Sequence, residues 1–171
     1  MRRLQVWGPR AFVVIASVAF ALLSSAMAAR AKDLPSDVCS LLPGSELEKV
    51  LGQSFGSPSK NSYPPPFPNN PSGTRCEFQS KTGLTRSVIF IIYADPSEAV
   101  AKDTANKLKP FFGPPTDVAG IGDSAYLDSN HAIHVQKGKV RYFISIVPIG
   151  TYTPQKEKQL KDLAIWVAAQ L

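Results

Sequence analysis

Ile133-His134-Val135-Gln136-Lys137-Gly138-Lys139-Val140-Arg141-Tyr142-Phe143-Ile144-Ser145-Ile146-Val147 is the stretch that decides the fold. Ile133 and Val135 alternate with His134 and Gln136. After the Lys-Gly-Lys turn, Val140, Tyr142, Ile144 and Ile146 alternate with Arg141, Phe143, Ser145 and Val147. A period of two on both sides of a glycine turn specifies a β-hairpin with one face turned to a core. Thr153-Pro154 then starts a helix in which Leu160, Leu163, Ala164, Val167, Ala168 and Leu171 recur at i, i+3, i+4, i+7 spacing.

Working towards the N-terminus, the same order recurs. Arg75 to Gln79 sets Cys76 and Phe78 against Arg75, Glu77 and Gln79. Lys81-Thr82-Gly83 turns the chain, and Ser87 to Tyr93 is β-branched and aromatic throughout. Asp95-Pro96-Ser97-Glu98 supplies a cap, an early proline and an acid, starting a helix that runs to about Lys109. Two hairpin-plus-helix stretches, a possible ββα duplication, predict an α+β domain: an antiparallel sheet with helices on one face. Residues 117–127 carry Gly120 and Gly122 into a further strand at Ser124 to Leu127.

Before these units, Asp37 to Leu42 reads as one helical turn. Ser45-Glu46-Leu47-Glu48 has capping-box spacing for a short helix that stops at Gly52. Residues 57–73 hold six prolines among Ser, Asn and Gly, which predicts a Pro-rich loop with extended geometry from Tyr63 to Pro68.

The first 28 residues have the layout of a secretory signal. Arg2, Arg3 and Arg10 precede an apolar run from Ala11 to Leu23, and Ser24 to Ala28 supplies small residues for cleavage after Ala28, with Ala31 the second site. Residues 29–35 form a flexible lead, and 36–171 a single domain. The apolar run approaches the length of a membrane span, but its small-residue exit favours cleavage and no stable span afterwards. Removal of the three arginines leaves 16 basic against 13 acidic residues, reducing the net charge from +6 to +3. The remaining charges are interspersed, which argues against nucleic acid as a partner.

In an exported chain, the two cysteines, Cys39 and Cys76, are expected to form a disulfide. The parity of the 75–79 strand turns Cys76 inward, towards the turn that carries Cys39. Neither a CxxC spacing nor nearby ligand residues favour a metal pair.

Asp37-Val38-Cys39-Ser40-Leu41-Leu42, Leu51-Gly52, Cys76-Glu77-Phe78 and Val118 to Tyr126 (VAGIGDSAY) give the chain a resemblance. It resembles small exported bacterial domains of unknown function, many of them lipid-anchored, over most of residues 36–171. The resemblance implies a Cys39–Cys76 pair and an envelope location, and it brings no activity. This chain lacks the acylated cysteine of the anchored members, which points to a periplasmic or secreted form.

Catalytic patterns are weak. Gly122-Asp123-Ser124 and Asp128-Ser129-Asn130-His131 look like two blocks of an esterase, but only three residues lie between Ser124 and Asp128, with no oxyanion block between them. His131 and His134 fall on opposite faces of a strand, so no shared metal is expected. Gly120-x-Gly122 lacks the third glycine of a phosphate loop, so no cofactor is expected. Two surfaces remain for recognition. One is the Pro-rich loop with Tyr63 and Phe67. The other is the outer sheet face, with Arg75, Glu77, His134, Arg141 and Phe143 beside part of the apolar 88–92 strand. These residues predict a non-catalytic binding module of the cell envelope, for an envelope or extracellular protein or an apolar small molecule. The alternatives are a serine hydrolase using Ser124 and an inhibitor of an extracellular enzyme that docks through Tyr63 and Phe67.

Overall fold

The computed structural model describes residues 34–82, 86–147 and 151–171. The expected signal segment and cleavage sites, residues 29–33 of the expected lead, and Gly83 of the expected turn lie outside the described residues.

Seven strands among the described residues form one antiparallel sheet. They are β1 (Ser59–Tyr63), β2 (Gly73–Gln79), β3 (Ser87–Ala94), β4 (Thr116–Asp117), β5 (Ser124–Leu127), β6 (Ile133–Lys137) and β7 (Val140–Val147), in the order β1-β2-β3-β7-β6-β5-β4. The hairpin that opened the sequence reading is β6–β7, with Val135 opposite Tyr142 and Lys137 opposite Val140. β3 and β7 meet at the centre, with Phe90 opposite Ile144, so the two longest apolar strands share the best-protected position.

Period-two alternation sets the inner face. Cys76, Phe78, Val88, Phe90, Ile133 and Ile144 are all at most 1 % exposed. Against them pack the 3-10 turn Val38–Leu41, helix α1 (Gly44–Leu51) and helix α3 (Pro154–Gln170). Leu160, Leu163, Ala164, Val167 and Ala168 of α3 are buried as their spacing requires. Tyr142 donates from its hydroxyl to the Ala164 carbonyl at 2.6 Å, pinning α3 to β7. The expected disulfide joins Cys39 to Cys76 with a Cα–Cα distance of 5.6 Å, tying the N-terminal turn to β2.

The α+β class and the antiparallel sheet stand as expected, but three local expectations are corrected. Helix α2 (Glu98–Leu108) does not join the other helices; it lies over the opposite sheet face, where Ala105 and Leu108 line one cavity with Ile89 and Ile91. The inner face is already covered, while Ile91 on the outer face is fully buried and needs a partner. A two-fold axis relating the two strand pairs would put both following helices on one face, so α2 and α3 break the apparent ββα repeat. Secondly, residues 57–73 are not wholly irregular. Ser59–Tyr63 contains no proline, and it forms edge strand β1 between Pro58 and Pro64, with Asn61 opposite Arg75.

Thirdly, two helix starts move. Helix α1 begins at Gly44 because the Pro43 carbonyl accepts from the Glu46 and Leu47 amides, so Ser45 is not its cap. Helix α2 is capped by Ser97, whose Oγ accepts from the Val100 amide at 3.3 Å. Asp95, the expected cap, is drawn inward instead.

Candidate functional site

The outer sheet face forms the floor of a cavity of about 700 Å³. Ile89, Ile91, Phe143 and Ser145 lie at its centre, on β3 and β7, with Arg75 on one side and His134 on the other. Two segments roof it. Pro64, Pro65 and Pro66 leave the end of β1 with fixed φ and no amide hydrogens, so they cross the face without needing a strand partner. The end of α2 and the 3-10 turn Lys109–Phe112 come from the other side.

Side chains join the two roof segments to one another and to the floor. Phe67 meets Phe111 edge-on at 6.0 Å, and Tyr63 meets Tyr93 at 6.4 Å. Asn70 Nδ2 donates to Thr104 Oγ1 at 3.0 Å, linking the proline segment to α2. Gly73 is required where it stands: a Cβ there would lie 2.7 Å from the Tyr93 ring. Tyr93 donates to the Pro64 carbonyl at 3.5 Å, and burial, with Tyr63 beside it, pushes its phenol up to about 12.

His134 sits in an aromatic stack. The Tyr126 ring lies parallel to it at 4.6 Å, with Phe112 at 5.2 Å and Phe143 at 5.3 Å. Its Nε2 is 2.9 Å from Asp128 Oδ2, and Asp128 Oδ1 also accepts from the Asn130 and Ala132 amides. Burial opposes ionisation of Asp128. The His134 bond and the two amides outweigh it and hold the carboxyl below its usual value. With the carboxylate ionised, His134 Nε2 carries the proton and donates.

The other charges are also paired. Arg141 Nε and Nη2 donate to the two Asp95 oxygens at 2.6 and 3.1 Å, in a pair whose side chains are 5 % and 0 % exposed. The guanidinium also lies 4.8 Å from the Tyr93 ring centroid. Arg75 donates to Glu77 at 2.7 Å, and this bond holds the Glu77 carboxyl low despite some desolvation. Tyr126 is almost fully buried, and its hydroxyl has no hydrogen-bond partner among the described residues. Burial, and then the nearby Asp128 charge, raise its pKa.

Six of the seven residues named from sequence, Tyr63, Phe67, Arg75, His134, Arg141 and Phe143, line this one cavity, and Glu77 braces Arg75. Arg141 is on the expected face but is buried and paired. Tyr63 and Phe67 are half-buried against their own chain, on Tyr93 and Phe111. Sequence reasoning missed Tyr93, Asp95, Tyr126 and Phe112, and placed Asp128 only in the esterase-like block. Strand parity carries a signal for Tyr93 and Tyr126, whereas Asp95 and Asp128 sit just beyond strand ends, where parity gives none.

The hydrolase blocks do not assemble as their order suggested. Ser124 Oγ donates to Gln136 Oε1 at 3.4 Å, and an amide oxygen is no general base. Asp128 pairs with His134 rather than His131, whose ring stacks on Tyr152 at 3.8 Å. Among the described residues there is no cluster of three His, Cys, Asp or Glu suited to a metal, and no helix long and apolar enough to cross a membrane. No protein-family model, curated protein or solved structure matches the chain.

Proposed function

We propose that the chain is an exported, non-catalytic binding module that takes a small, mainly apolar molecule into the cavity on the outer face of its sheet. The observation that carries this reading is the cavity itself. Its volume of about 700 Å³ falls within the range of ligand sites, roughly 300–1,000 Å³, and its walls are mostly aliphatic and aromatic with a few fixed polar groups. The signal-like leader supports export, and a disulfide suits an oxidising compartment.

The test is a titration of the purified, oxidised protein with the uncharged environment-sensitive dye N-phenylnaphthylamine, read by fluorescence. The same titration is made on Ser145→Trp, which places an indole at the centre of the floor. Saturable enhancement that disappears in Ser145→Trp, with unchanged circular dichroism, supports the reading. Absence of binding to the wild-type protein, or equal binding to both, counts against it.

A further inference from the structure

Resting on that binding reading, we infer that the cavity selects a rigid, flat aromatic molecule over an alkyl chain or a saturated ring system of the same size. Aromatic side chains stand on opposite walls. Phe143 belongs to the floor, on β7. Phe112 belongs to the 3-10 turn of one roof segment and Phe67 to the proline segment of the other, and Tyr63 ends β1 beside them. All four are half-buried, and Phe111, next to Phe67, is 70 % exposed, so these rings keep surface that their own neighbours do not cover. A flat ligand lying between floor and roof meets rings on both sides. Offset and edge-on aromatic pairs are favourable beyond the area they bury, and only an aromatic ligand gains that increment. Ile89 and Leu108 add aliphatic surface, which any apolar ligand can use.

The rings are also held in place. Phe112 and Phe143 both pack on His134, at 5.2 and 5.3 Å, Phe67 on Phe111 at 6.0 Å, and Tyr63 on Tyr93 at 6.4 Å. Pro64, Pro65 and Pro66 fix the backbone of the roof between them. Walls ordered before binding lose little freedom when a ligand arrives. An alkyl chain gives up its own torsional freedom in such a space, whereas a fused ring has almost none to lose. Polar selection is limited by comparison, because Arg75, Arg141 and the Asp128–His134 pair already hold partners.

The test is competition against N-phenylnaphthylamine on the purified, oxidised protein. The competitors are three uncharged alcohols of equal carbon number: naphthylethanol, its saturated counterpart decahydronaphthylethanol, and dodecanol. Burial of apolar area alone ranks the two saturated compounds ahead, since they carry more of it. The opposite order is expected here, with naphthylethanol bound at least about threefold more tightly than either. Phe143→Leu on the floor and Phe67→Leu on the roof should each lower the naphthyl-to-decahydronaphthyl affinity ratio about threefold, and a fall in either supports the inference. That ratio does not depend on how tightly a variant binds the dye. A saturated compound that matches or exceeds naphthylethanol overturns the inference, as does a ratio unchanged in both variants or a naphthylethanol that fails to displace the dye. In each of these cases saturable dye binding, and the binding reading with it, stands. If the dye itself does not bind, both fall. Phe67 lies in the proline segment outside the core, so its variant still decides the matter should Phe143→Leu fail to fold.

Discussion

Removing Asp95 should unbalance the whole outer half of the sheet. Its carboxylate, fully buried, holds the Arg141 guanidinium through two bonds of 2.6 and 3.1 Å, and the Arg141 side chain is itself only 5 % exposed. Asp95→Ala leaves that cation buried without a counter-charge, for which the cost is about 3–5 kcal/mol. A domain of this size has a total stability of about 5–15 kcal/mol, so the change removes a large share of it. Arg141→Met strands Asp95 in the same way and should cost a similar amount. The double variant Asp95→Ala/Arg141→Met leaves no lone charge. It loses the cation–π contact with Tyr93 and creates a small void, together about 1–2 kcal/mol. It should therefore be more stable than either single variant. Urea unfolding followed by circular dichroism gives the four free energies, and thermal midpoints should fall by about 10 °C or more for the single variants. A cost below about 1 kcal/mol for Asp95→Ala, or a double variant as unstable as the two singles added together, refutes the reasoning.

Other expectations can be checked with the same material. Replacing Cys39 and Cys76 together by Ala releases a loop of sequence separation 37 and should cost about 4 kcal/mol in urea unfolding, while the native protein shows no free thiol in a denaturing thiol assay. Tyr126→Phe should leave stability unchanged or raise it by up to about 1 kcal/mol, since it removes a buried hydroxyl without a partner; a loss above about 1 kcal/mol would reveal a bond that the structure does not show. Asp128 has a depressed carboxyl pKa, so its stabilisation is present above the unfolded value near 4 and is lost as pH falls through the folded value. Between pH 5 and pH 2 the urea midpoint should accordingly fall more steeply for the wild type than for Asp128→Asn, and parallel curves would contradict the assignment.

Strand parity made much of this architecture legible. The alternation across Val140 to Val147 correctly separates Tyr142 and Ile144 from Arg141 and Phe143, and that of 75–79 points Cys76 at Cys39. The same rule puts Arg75, His134 and Phe143 together on the face that floors the cavity. The placement of α2 was not legible, because Ala101 and Thr104, its buried residues, are too small or polar to declare which sheet face they meet. Nor was the roof. Prolines announce where hydrogen bonding stops, but the direction the chain then takes depends on distant contacts such as Asn70 to Thr104. Sequence alone offers Asp95 as a helix cap, the ordinary use of Asp before a proline-started helix, and Asp128 as the head of a weak esterase-like block. Only their tertiary partners, Arg141 and His134, give them a different job.

The two faces of the sheet divide the molecule's labour in a way that bears on how it can change. Residues that face the disulfide and α3 make up one set of alternate positions, and those that face the cavity make up the other, on the same strands. Substitutions at Ile89, Phe143 or Ser145 reshape the cavity without replacing Phe90, Ile144 or Ile146, which hold the core. On the proposed reading, new ligand preferences are thus open to single-residue steps that leave the core intact. The Asp95–Arg141 and Asp128–His134 pairs are exceptions, since there a change in the cavity wall would also be a change in stability.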